Sequence, residues 1–286
     1  MPPSSRKAAS DKPRPEARTE ARPEARGVQS IELGARLLKA LVDEGEATML
    51  KDLARIAGFA PAQAHAYLVS YRKIGLVEQD PTTGRYLLGR FAMDVGITRM
   101  QTNDPMRLAR DAALALSEET GLIVALVVWG SFGPTVVLVQ ESGSQINMNT
   151  RPGTVYSMSG TASGRLFSAF LPPMVAKEAI RAERRENGQT GRVGTHRFLS
   201  KAELETIRQD GYATIENPPV PGVNAIAAPV FDHAGQLSMA LTIIGEDRVM
   251  AEKAQSEFLP ALLATARTLS EDLGYSGLRE VVAAGD

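Results

Sequence analysis

The sequence predicts an α+β protein in two parts: a three-helix unit closed by a hairpin, which makes a winged helix-turn-helix, and a larger sensor-like domain on one mainly antiparallel sheet. Three observations carry that prediction. Apolar residues recur at helical spacing through residues 29–75, and the period then changes at "GLVEQDPTTGRYLLG", two short strands around the turn-forming cluster Asp80 to Gly84. Downstream, "LIVALVVWG" and "TVVLVQES" read as buried-type strands, and "NAIAAPVFDHAGQLSMALTIIG" as a hairpin turning at Asp232-His233-Ala234-Gly235. Amphipathic stretches alternate with these strands, and 286 residues at 43% hydrophobic content can fill two ordinary cores.

Residues 1–28, "MPPSSRKAASDKPRPEARTEARPEARGV", hold almost no large apolar side chain and are expected to form a disordered tail; its repeated "RPEAR" is low-complexity. Order begins with "QSIELGARLLKALVDEGE", where Ser30 is the expected cap and Gly45 the stop. In "TMLKDLARIAGF" Thr48 is the expected cap and Gly58 the stop. The third helix starts at Pro61, tolerated in a first turn, and runs toward Gly75. A short connection between the second and third helices suits a helix-turn-helix. The unit spans 29–90, a linker helix fills 91–104 before Pro105, the larger domain covers 105–274, and 275–286 form a C-terminal tail. Within the larger domain, "MRLARDAALALSEETG" is an amphipathic helix and "SGTASGRLFSAFL" a glycine-containing turn into another. "SKAELETIRQDG" opens with the capping box Ser200 and Glu203, and "AEKAQSEFLPALLATARTLSEDLG" closes the domain.

Composition narrows the function. With no cysteine, thiolate nucleophiles, thiol redox sensing and Cys-ligated metals are all excluded. The three histidines, His65, His196 and His233, are not at metal-ligand spacing, so neither metal nor cofactor is expected. "GTASG" displaces the serine of a nucleophile elbow and "SGTASGR" lacks phosphate-loop spacing, which argues against an enzyme. No apolar run reaches the ~18 residues of a membrane span, and the N-terminus lacks a signal-peptide core, so a cytoplasmic location with no membrane partner is expected. Net charge is −1, but residues 1–28 carry seven Lys/Arg against four Asp/Glu, and residues 101–286 sixteen against twenty-one. The basic excess lies in the first third, where phosphate contact would be made.

"SIELGARLLKAL…LKDLARIAGFAPAQAHAYLVSYRKIGLVEQDPTTGRYLLG", "SGTASGRLFSAF" and "GYATIENPPVPGVNAIAAPVFDHAGQLSMALTIIG" together resemble the IclR family of transcriptional regulators, from about Ser30 to Gly274. The resemblance implies a winged helix joined by a linker helix to a GAF-like effector-binding domain. It also implies a homodimer or homotetramer on double-stranded operator DNA, responsive to a small-molecule effector.

In the third helix Ala64, Leu68, Tyr71 and Gly75 share the inward face. Gln63, His65, Ala66, Ser70, Arg72 and Lys73 are left for DNA, with Gln63 suited to reading adenine and Arg85 at the wing tip. Each basic residue is also readable as a solvated charge, and His65 as a packing or capping residue. The chain departs from the family at His65-Ala66-Tyr67-Leu68, where His-Arg-Tyr-Leu is usual, and at Tyr71, where leucine is.

Relatives that sense small polar acids such as glyoxylate or pyruvate build their pocket at positions matching Ala162, Ser163, Ile215, Ala225, Thr242 and Ile244. They place an acidic residue, a cysteine and two serines at the last four, so here the polar set is largely apolar. Such a pocket suits an aromatic or otherwise apolar carboxylate, held at the start of the helix near Gly164 with Trp129 and Met148 along its body. The same residues are also readable as plain core. The competing reading of the whole is an interaction module whose winged helix no longer reads specific DNA.

Overall fold

The computed structural model describes residues 27–141, 150–190, 198–215 and 220–277. In α1 (Gln29–Glu44) the residues Gly34, Leu37, Ala40 and Leu41 form the buried stripe. The helix begins one residue before Ser30, with Val28 in the cap position and no side-chain cap, so Ser30 is already inside the first turn. Thr48 does not cap α2 (Leu50–Ala57) either, and Met49 holds that position. The reason lies in the backbone: Thr48 exchanges both amide hydrogen bonds with Tyr86, at 2.9 and 2.8 Å, adding a third strand to the wing. Gly58, in the left-handed region at φ 74°, ends α2 and turns the chain into α3 (Pro61–Lys73). The wing proper is β1 (Val77–Gln79) paired antiparallel with β2 (Tyr86–Leu88). Leu37, Leu41, Leu53, Ala64, Leu68, Val77 and Tyr86 make the core of this unit.

Tyr71, unusual at its position, lies over Gly34. A Cβ at Gly34 would overlap the Tyr71 hydroxyl and stand 3.1 Å from Tyr67 Cδ1. The missing side chain in α1 therefore makes room for the extra length of a tyrosine in α3. Burial raises the Tyr71 pKa, with the neighbouring Tyr67 adding to the effect.

The chain divides into two compact units with the boundary between Phe91 and Ala92. α4 (Arg90–Thr102) has no buried residue. After it come α5 (Pro105–Thr120), β3 (Ile123–Gly130) and β4 (Gly133–Gln140), then α6 (Ala162–Phe170), α7 (Pro173–Thr190) and α8 (Lys201–Asp210). β5 (Ala213–Thr214), β6 (Val223–Phe231) and β7 (Leu237–Glu246) follow, then α9 (Asp247–Lys253) and α10 (Leu259–Asp272). The sheet order is β4-β3-β7-β6-β5 and every pairing is antiparallel.

Both faces of this sheet are covered. Val124, Leu126, Ile226, Ala228, Leu241 and Ile243 pack against α5 and α10. Ile123, Ala125, Val127, Ala227, Ala240 and Ile244 pack against α6, α7 and α8. Double coverage explains why the strands read as continuous apolar runs and not as alternating ones. The closing helix differs from its expected form: α9 and α10 are joined by a π-helical turn, Ala254–Phe258, just ahead of Pro260. Proline has no amide hydrogen and crowds the carbonyl four residues back, so the helix widens there. α7 is a helix that the residue patterns above do not single out. Tyr275, assigned to the tail, packs its ring 5.0 Å from Phe231 and belongs with the domain. Asn103, between α4 and α5, donates to the Asp272 carbonyl at the end of α10 at 3.0 Å. Among the described residues no helix is long and apolar enough to cross a membrane.

The Gly34 and Tyr71 contact gives a stability test. Gly34→Ala in the wild-type chain should destabilise the first unit by about 1 kcal/mol or more, because overpacking outweighs helix propensity. In a Tyr71→Phe background the same change should be neutral or stabilising by up to about 1 kcal/mol. Urea unfolding of the four variants checks this, and equal effects in both backgrounds would reject the contact.

Candidate functional site

Two sets of residues qualify as sites, one in each unit. On α3, Ala64 and Leu68 are buried and Tyr71 is half-buried, which leaves Gln63, His65, Ala66, Ser70, Arg72 and Lys73 exposed. They do not form one patch. Helical spacing groups Gln63, Ala66, Ser70 and Lys73 on one flank and His65 with Arg72 on the other. Ser70 turns its hydroxyl back onto the Ala66 carbonyl at 3.2 Å, an intrahelical bond that leaves its oxygen lone pairs available.

Arg72 reaches the wing instead of open solvent. Its Nη1 donates to Gln79 Oε1 at 2.9 Å, and Gln79 Nε2 donates to the Gly84 carbonyl at 2.9 Å. Helix and wing are thus joined by a side-chain bridge. The wing turn is fixed by Asp80, whose carboxylate accepts from the Thr82 amide at 2.8 Å and the Thr83 hydroxyl at 2.6 Å. These bonds favour the ionised form and hold Asp80 below the usual carboxylate range, the Thr83 bond contributing most. Gly84 supplies the left-handed conformation at φ 71° that closes the turn. Arg85 is exposed, and its Nη1 donates to the Ala47 carbonyl at 3.0 Å, which ties it to the base of the wing.

In the second unit a cavity of about 120 Å³ opens between the start of α6 and the ends of β6 and β7. Ala162, Ser163, Ile215, Ala225, Thr242 and Ile244, singled out from the sequence, all line it. Strand register brings the last three together: Ala225 pairs with Ile244 and Ala227 with Thr242. Ser163 Oγ and Thr242 Oγ1 are hydrogen-bonded at 2.9 Å and fully buried. Thr161 caps α6 by accepting from the Gly164 amide at 3.0 Å, which leaves the Ala162 and Ser163 amides as first-turn donors beside that hydroxyl pair. Among the described lining residues none is Asp, Glu, Lys or Arg.

Sequence reasoning missed Thr150, Tyr156, Thr161 and Val223, which also line the cavity. Thr161 was findable as the cap of "TASG"; Tyr156 had no local signal, because its place depends on the irregular segment before α6. The Tyr156 hydroxyl donates to Thr150 Oγ1 at 3.2 Å, and burial pushes its pKa up, so it stays a donor at neutral pH.

Two other expected residues stand elsewhere. Trp129 lines a separate, larger cavity and packs its ring 5.7 Å from Phe167. Gly164 is a packing position: a side chain there would overlap the Ser157 carbonyl and stand 2.7 Å from Met158 Cα. Met148 lies outside the described residues.

Comparison with known proteins agrees with both sites. A family model for the IclR helix-turn-helix domain matches residues 30–81, and one for the bacterial transcriptional regulator IclR C-terminal region matches residues 100–271. The glycerol operon regulatory protein of Streptomyces coelicolor is 29% identical over 252 residues, covering 87% of this chain and 98% of that protein. The transcriptional repressor IclR of Escherichia coli is 22% identical over 263 residues, covering 88% and 92%. The crystal structure of Pseudomonas aeruginosa HmgR superposes with a TM-score of 0.75 at 33% identity, covering 87% of this chain and all of that one.

Proposed function

The chain belongs to the IclR family of transcriptional regulators, and we propose that it binds its operator as a homodimer or homotetramer in the cytoplasm, controlling a catabolic operon in response to an aromatic or otherwise apolar carboxylate. It is a DNA-binding regulator and not an enzyme, as its relatives are. The observation that carries the ligand class is the cavity lining. Ile215, Val223, Ala225 and Ile244 offer an apolar wall, while the Ser163 and Thr242 hydroxyls and the first-turn amides of α6 gather at one end. That lining suits an anionic head with an apolar body. A small hydrated acid would bury its charge with few partners along the rest of the wall. The volume compares with the ~150 Å³ of an engineered cavity that admits benzene, so a single ring is the right size.

For DNA, Gln63 is placed to meet base edges and Lys73 to meet phosphate, with the wing held to α3 through Arg72 and Gln79. The support for self-association is α4. Met93, Ile97 and Met100 fall on one stripe of that helix, 67%, 45% and 50% exposed, and a second copy of the same helix would cover them. The cavity reaches α4 through packed elements: β6 backs onto α10, and Asn103 holds the end of α10 to the base of α4. A ligand that prefers one arrangement of those elements biases the paired winged helices.

A gel shift on the DNA flanking the gene, with benzoate-type acids against glyoxylate and pyruvate, is the primary test. Specific binding altered by an aromatic acid is expected; a response confined to the small polar acids would discard the ligand class. Thr242→Val, which removes one hydroxyl of the buried pair, should weaken that response at least fivefold and cost about 1–3 kcal/mol of stability.

Ala66→Arg restores a cation on the exposed flank of α3. It should raise operator affinity and steepen the slope of log K against log salt by about 0.9. An unchanged slope would place this flank away from phosphate.

Ile97→Glu should sediment as a smaller species than the wild type and bind the operator more weakly. Identical sedimentation would rule out the α4 stripe as the contact between copies.

A further inference from the structure

We propose that the larger cavity of the second unit is a second small-molecule site, separate from the effector cavity, and that it takes an organic cation with an aromatic body. It measures about 440 Å³, within the range of ligand sites, and is bounded by the β3–β4 hairpin, residues 155–158 and α7. Three aromatic rings reach it from different segments: Trp129 and Phe132 from the hairpin and Tyr156 from the stretch before α6. Phe132 is 83% exposed at the hairpin tip, so it is not there to fill a core.

The α7 face shows how the cavity is kept open and charged. Val175, Glu178, Ala179, Ala182 and Glu183 recur at helical spacing along the cavity, while Ala176 and Ile180 turn the other way into the core. Alanines at the centre of the exposed face leave volume that a larger side chain would fill. Carboxylates stand beside them. Glu183 is half-buried, and its Oε2 accepts from the Met158 amide at 3.1 Å. Glu178 is exposed at the rim. No lysine or arginine stands among the described residues of the lining.

Aromatic faces and carboxylates without a cationic side chain select an ammonium group and reject the anions that the neighbouring cavity suits. The two cavities therefore have opposite charge preferences, yet they share Tyr156 and Thr161 as lining residues. Nothing in this assignment depends on the effector reading, since its observable lies on Trp129.

Trp129 is the sole tryptophan of the chain, so its emission reports on this cavity alone. Titration of the full chain with phenethylammonium chloride should give a saturable change in that emission. The neutral isostere 2-phenylethanol should bind more weakly. Glu178→Gln, at an exposed position where folding is not at risk, should weaken the ammonium by about two- to fivefold. Phe132→Ala should do so by a similar factor. A non-saturable response, equal affinity for the alcohol, or unchanged affinity in both variants would each overturn the site.

Discussion

The pairing register of β6 on β7 is the constraint on which the second unit depends. Both faces of the sheet are buried, so alternate residues are committed to opposite layers. Leu241 and Ile243 go to α5 and α10; Thr242 and Ile244 go to α6 and the cavity. A slip of one residue would bury two leucine-sized groups against the Ser163 hydroxyl and turn Thr242 into an apolar layer. The Asp232 turn pins this register, its carboxylate accepting from the Ala234 and Gln236 amides at 2.8 and 3.0 Å, with Gly235 in the left-handed region. The chemistry of the cavity thus rests on a hairpin turn at the far end of the same two strands.

The first unit depends on fit more than on register. Its core is small, and two of its contacts are paired departures from what either residue alone would suggest: Gly34 opens the space that Tyr71 fills. Thr48, too, is explained only by its partner, since both of its backbone groups are used by Tyr86. Such contacts join residues far apart in the chain, and neither helical period nor cap rules encode them.

This separates what the sequence made legible from what it did not. The fold class, the wing, the β6–β7 hairpin and the capping box at Ser200 with Glu203 follow from local period and turn chemistry, and the structure has them. Six effector-site positions were found because they lie on elements whose facing is periodic. The rest was hidden for stated reasons. Trp129 and the cavity residues share β3's neighbourhood, but which of two cavities a ring enters depends on the segment before α6, which has no period. α7 opens on a proline pair and is strongly polar on its outer side, so its apolar stripe is thin. The π-helical turn is a response to Pro260 that a helix pattern passes over.

The exposed flank of α3 then has an energetic consequence for the proposed regulator. Ala66 stands where a cation is usual, Arg72 is engaged with the wing, and Lys73 lies in the last turn. Residues 29–100 carry nine Lys/Arg against eight Asp/Glu, so long-range attraction to phosphate is weak as well. One winged helix of this kind holds DNA poorly by itself. Two joined copies gain through effective concentration, because the second contact becomes intramolecular once the first is made. That gain disappears when the spacing of the two copies no longer matches the operator. Weak individual contacts therefore make occupancy steeply dependent on spacing, and a ligand supplying a coupling of only about 1–3 kcal/mol is enough to control it.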